Sequence, residues 1–173
     1  MIAEALRGEL SGWRGLNNET VATLTDALAP VGAVIGPTYA ERRLGRFDKF
    51  TITRQTEPVE IEVWVPGGAS AVALVEFDDP PTSEVDALLD SLGAPEDVQH
   101  NQRWRTGMLV DEYVYASRGL SLSVATPSAD VGVTPIPRDS RQIVHVQLFR
   151  PMTVDEWRAG IGAVIPLRPF PRR

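Results

Sequence analysis

At 173 residues, with 43% hydrophobic and 23% charged side chains, the chain is long enough for one compact domain or two small modules sharing a core. Its net charge of −6 argues against general nucleic-acid binding, which works through a basic face. The absence of cysteine removes disulfides, thiolate metal sites and a Cys nucleophile together. No apolar run approaches the roughly 20 residues that span a bilayer. Met1 to Leu10 carries acids where an export signal has a basic start, so the expectation is a cytoplasmic chain without membrane contact. The cations are almost all arginine, Lys49 being the single lysine.

In chain order, Ile2, Leu6, Leu10 and Trp13 are spaced as one face of a helix, which Gly12 and Gly15 should end, giving an N-terminal segment over 1–17. Asn18 suits the N-cap of a second helix with Val21, Leu24 and Leu28 as its stripe. A short apolar segment, Val31 to Ile35, stops at Gly36-Pro37, and Thr38 to Gly45 reads as a polar connection or an edge strand. Strands follow over Phe47 to Gln55, Val59 to Val65 and Ser70 to Phe77, with Glu57-Pro58 and Pro66-Gly-Gly68 at the turns. Thr82 or Ser83 caps the next helix, whose apolar face is Val85, Leu88, Leu89 and Leu92 and whose stop is Gly93-Ala-Pro95. Glu96 to Thr106 reads as a polar loop. Strands return at Val110 to Ser117, at Leu120 to Ala125 and at Val144 to Phe149, a long proline-bearing loop over 126–140 separating the last two. Thr153-Val-Asp-Glu156 fits a capping box that opens a final helix. The segment from 161 ends in an extended, Pro- and Arg-rich tail, where Pro166-Leu-Arg-Pro169 is formally a P-x-x-P ligand, although docking along its own domain is the simpler expectation.

One stretch occurs twice. Val75, Phe77, Pro80 and Thr82 stand 71 residues before Val146, Leu148, Pro151 and Thr153. The order of elements therefore predicts an α+β fold of two tandem units, 18–81 and 82–160. Each unit is a helix plus a three-stranded antiparallel meander, and the two form one or two sheets with helices on one face. The order helix, Gly–Pro stop, three strands resembles the small modules of the outer-membrane assembly lipoprotein BamE. Its tandem form resembles the β-lactamase inhibitor proteins of actinobacteria, whose disulfide cysteines this chain lacks.

The chemistry-bearing residues are sparse. His100 and His145 have no partner at ligand spacing, and His145 alternates with Val144 and Val146 as a sheet histidine, so no metal or other cofactor is expected. Ser11, in Gly8-Glu-Leu-Ser-Gly12, does not fit the nucleophile elbow, and Gly67-Gly68 lacks the lysine and helix of a phosphate loop. Glu60 and Glu62 share a strand face and are the best acid–base pair. With Tyr113 and Tyr115 they would line a cavity between sheet and helices, the alternative of a small-molecule binder or enzyme. No catalytic constellation is complete, and the pattern leans away from catalysis.

Binding features are more suggestive. Arg103-Trp104-Arg105 combines the residue types enriched at interface hot spots, and Asp78-Asp79 forms an acidic corner. Glu41 to Phe50 mixes four cations with two aromatics, which fits an acidic partner or a guarded edge strand equally. The leading expectation is a non-catalytic protein-binding module, of the immunity or inhibitor type against a bacterial toxin or enzyme, with Asp78, Asp79, Arg103, Trp104 and Arg105 at the contact. A structural subunit of a larger assembly is a further alternative, and the sequence leaves the oligomeric state open.

Overall fold

A computed structural model describes residues 1–41, 45–54, 57–81, 84–103, 109–125 and 141–164. Among the described residues there are eight strands: β1 (Val34–Glu41), β2 (Gly45–Arg54), β3 (Glu57–Val65), β4 (Leu74–Asp78), β5 (Asp97–Arg103), β6 (Leu109–Tyr115), β7 (Leu120–Ala125) and β8 (Gln142–Phe149). They form a single antiparallel sheet in the order β1-β2-β3-β4-β8-β7-β6-β5. The repeated stretch lies at its middle. Glu76 and Gln147, 71 positions apart in sequence, stand directly opposite one another where β4 pairs with β8.

This corrects the expected fold of two helix-plus-three-stranded-meander units. All eight strands belong to one sheet; of the two outermost, β1 overlaps the edge strand offered for Thr38 to Gly45, and β5 was not expected as a strand. β5 occupies the stretch expected as a polar loop, and β1 runs through Gly36-Pro37, where a stop is expected. The physical reason is position. An inner strand must alternate apolar and polar side chains to bury a face, whereas an edge strand is half solvated and tolerates proline and polar runs. Both edges also carry a register shift, between Ile35 and Thr38 in β1 and between Gln99 and Gln102 in β5.

One face of the sheet holds the main core. Phe50, Ile61, Val63, Val75, Phe77, Leu120, Leu122, Val146 and Leu148 meet α1 (Ile2–Leu6), α2 (Val21–Leu28) and α3 (Val85–Leu92) there. Helix α1 is shorter than its apolar spacing predicts. It ends before Gly8, whose φ is +86°, yet Leu10, Trp13 and Leu16 still bury, as turns rather than helix. Helix α2 is capped by Thr20, which exchanges hydrogen bonds with Thr23, and not by Asn18, whose φ is +59°. The helix ends at Leu28, its C-cap Ala29 standing before Pro30 as expected, and the turn that follows is closed by Gly32 at φ +73°.

The expectation of helices on one face is also corrected. Helix α4 (Val154–Ala159) lies on the opposite face, where Trp157 packs with Trp64, Leu74, Val114, Ala116 and Phe149. The short α5 (Ile161–Val164) follows it, and Ile161 joins the same cluster. The predicted capping box is present: Thr153 accepts from the Glu156 N–H, and the Glu156 carboxylate accepts from the Thr153 N–H at 2.8 Å. That carboxylate is held below the usual range by the backbone hydrogen bond and then by the Thr153 hydroxyl. The expectations for the 126–140 loop, the tail from 165 and the Thr82 or Ser83 cap lie outside the described residues.

Candidate functional site

Alternation along the strands puts a polar band on the α4 face. Cross-strand pairing aligns Lys49, Glu62, Glu76, Gln147 and Ser121 in one row across β2, β3, β4, β8 and β7. The next row aligns Asp78, His145, Ser123 and Glu112 across β4, β8, β7 and β6. Glu62, Glu76, Glu112, Ser121, Ser123, His145 and Gln147 are all buried. Buried polar groups of this kind are retained only when they find partners, and here several do.

His145 Nδ1 lies 2.7 Å from Asp78 Oδ1. The Ser121 hydroxyl donates to Gln147 Oε1 at 2.8 Å, and the Gln147 amide donates to Glu76 at 3.5 Å. The Ser123 hydroxyl donates to Glu112. Lys49 Nζ reaches Glu60 at 2.5 Å and Glu62 at 3.7 Å. Desolvation lowers its pKa, but the Glu60 hydrogen bond and the charges of Glu60 and Glu62 outweigh that and hold the ammonium above its ordinary value.

Asp78, His145 and Ser123 are the residue types of a hydrolytic triad on three adjacent strands. Their geometry serves another purpose. Ser123 is buried at 1% exposure and spends its hydroxyl proton on Glu112, so it is not presented to a substrate. The band links four strands across the centre of the sheet and pins their register. Among the described residues, no group of three or more His, Cys, Asp or Glu side chains is arranged to hold a metal ion.

The sequence-predicted sites are placed as follows. Asp78 ends β4 and meets His145, and Asp79 turns the chain at φ +45° while its N–H donates to the Val144 carbonyl. Arg103 ends β5, four strand spacings from β4, about 19 Å across the sheet, so the acidic corner and the Arg103 end of β5 are not one surface. Trp104 and Arg105 lie outside the described residues. Glu60 and Glu62 belong to the α4 face, whereas Tyr113 and Tyr115 pack in the helical core on the opposite face, so the sheet separates the four. Burial raises the Tyr115 pKa. A recess of about 270 Å³ lined by Met1, Glu4, Glu9, Ser11, Gly12 and Trp13 involves none of them.

Apart from Met1, the large apolar side chains left exposed among the described residues lie on the sheet edge at β1. Val34 is 67% exposed, Ile35 48% and Tyr39 43%. Val34 pairs with Thr51 and Tyr39 with Phe47, which puts both on the α4 face, whereas Ile35 pairs with Phe50 and takes the other. Val34 and Tyr39 are an odd number of positions apart and share a face because the bulge at Gly36-Pro37 inserts the extra step. Tyr39 stacks on Phe47 with ring centroids 5.0 Å apart, and Phe47 lies 4.4 Å from Trp64. Lys49 Nζ sits 5.7 Å above the Tyr39 ring. An apolar row, Tyr39, Phe47, Trp64, Leu74 and Phe149, thus runs from the open edge to the cluster under α4.

The opposite edge is built differently. β5 reads Asp-Val-Gln-His-Asn-Gln-Arg, and Asp97 is bound by Arg158 of α4 at 2.8 Å. The sequence signal that finds the β1 patch is Val34-Ile35 beside Gly36-Pro37. A proline demotes a strand to an edge, and apolar residues next to it then have nothing to bury against. No family model, curated protein or solved structure matches the chain.

Proposed function

We propose that the chain is a non-catalytic protein-binding module, of the immunity or inhibitor type, whose contact surface is the β1 edge. The observation that carries this reading is the exposure of Val34, Ile35 and Tyr39 together on one edge strand, while the matching edge β5 is polar and tied to α4. Natural sheets protect their edges, so apolar side chains left open on one edge point to a partner. The net charge of −6 favours steering toward a basic target, with the apolar patch supplying the close contact.

The test is capture of partners from native host lysate by the tagged chain, compared with Ile35→Glu and Tyr39→Glu variants. Ile35→Glu should stay within about 0.5 kcal/mol of the parent, and Tyr39→Glu should cost about 1 kcal/mol more for the lost Phe47 stack, which leaves both chains folded. The expected result is one protein retained at near-equal stoichiometry by the parent and lost from both variants. A partner retained equally by all three chains would place the contact elsewhere and remove this reading.

A further inference from the structure

Resting on that reading, the geometry points to the kind of partner: we infer that β1 accepts an extended segment of another polypeptide as an added strand. Its apolar side chains would face Val34 and Tyr39 on one side and Ile35 on the other. Three features of the edge carry this.

The first is area. β1 has eight residues, and at about 3.3 Å per residue and a sheet depth of roughly 10 Å its rim offers only about 260 Å² to a flat partner. Two copies meeting edge to edge would share about 520 Å² in total, well short of the roughly 1,600 Å² of a standard stable interface. Such a pairing would also build sixteen strands from two sheets of eight, beyond the roughly ten that open twisted sheets usually reach. A second copy is therefore a poor occupant. A single extended segment folds its side chains over both rims and gains contact that a rigid copy does not.

The second is the distribution of apolar side chains. An added strand alternates its residues between the two faces, and β1 offers apolar contacts on both, with the Tyr39–Phe47 stack as the larger platform. A globular partner docking on one face would use only half of this.

The third is the bulge. Gly36-Pro37 interrupts the ladder, and Pro37 has no N–H to donate. The edge therefore refuses an uninterrupted straight strand, including a copy of itself, and favours a segment that pairs on either side of the break. The bulge supplies selectivity, the apolar contacts supply attraction, and the two act on the same strand.

The experiment uses the full chain labelled with ¹⁵N and a defined probe: a short peptide of two valine-rich stretches joined by a single glycine, which can pair on either side of the bulge, with a lysine pair for solubility. Its control is the same peptide methylated at alternate backbone nitrogens, which keeps the side chains and loses the donors. The expected result is amide shifts confined to β1 and β2 with the parent peptide. Binding should weaken about tenfold or more with the methylated peptide and with the Ile35→Glu chain, the fold of that chain being checked first by far-ultraviolet circular dichroism. Absence of shifts at millimolar peptide, equal binding of the methylated peptide, or shifts centred on β5 would each overturn the inference. If the peptide fails while a lysate partner is still lost on Tyr39→Glu, the binding-module reading survives and only the added-strand mode falls.

Discussion

Gly119 shows how tightly single residues are specified where the chain turns between β6 and β7. Its φ is +67°, and a Cβ placed there would stand 2.1 Å from the Phe149 carbonyl oxygen. The same carbonyl accepts the Leu16 N–H, and the Gly119 carbonyl accepts the Phe149 N–H and the Trp13 indole N–H. One glycine thus joins the N-terminal segment, the turn and β8. Gly32 has a similar φ of +73° but open space around it. Gly32→Ala should therefore cost only the backbone strain, about 1 kcal/mol, and Gly119→Ala at least about 2 kcal/mol because the backbone must also move. Urea midpoints with unchanged slope measure the difference. Equal costs would show that the turn yields more easily than the close approach implies. At this scale much was legible in sequence. The Thr153–Glu156 capping box forms as its spacing requires, and His145 sits on the face opposite Val146, but a register shift beside Val124 breaks the alternation and packs Val144 with Val110 and Ala125 instead of with Val146. The burial of His145 against Asp78 was not, because that contact joins residues 67 apart in sequence.

At the scale of elements, the inner strands were readable, the β1 edge was readable only in its second half, and the β5 edge was not. Ile61, Val63 and Val65 alternate because β3 has neighbours on both sides and must sort its side chains between two covered faces. β5 has a neighbour on one side only, and its polar sequence is what solvation of an edge permits. Besides its ladder to β6, β5 is tied to α4: Arg158 reaches Asp97 at 2.8 Å, and its hydrogen bond, against opposing desolvation, lowers the Asp97 pKa below its ordinary 3.8. A depressed folded-state pKa contributes stability that is present above the unfolded value and lost as pH falls through the folded value. The contact should therefore be intact from neutral pH down to about 4 and should fail below it, freeing β5 before the central strands. Thermal melts of the parent and of Asp97→Asn from neutral pH to pH 3 check this. The parent should lose its advantage over the variant only at the acid end. A constant difference across the range would assign the contact to packing.

For the whole molecule, the defining feature is the seam between β4 and β8, where the two copies of the repeated stretch meet about Glu76 and Gln147. The repeat was plain in the sequence, but its consequence was not, since spacing alone does not say whether like segments pair with each other or each with its own neighbours. The seam leaves two outer edges, and the molecule treats them differently: β5 is polar and bound to α4, and β1 is apolar and open. The candidate contact surface was half legible: Val34-Ile35 beside Gly36-Pro37 signals an edge, but the exposure of those side chains follows from strand order, which local pattern does not give. Hydrogen exchange on the complex recovered by lysate capture tests the central claim most directly. Slowed exchange along Val34–Glu41, with β5 unchanged, is the predicted result. Protection at β5 or on the helical face with β1 unaffected, or recovery of no partner at all, would contradict the account.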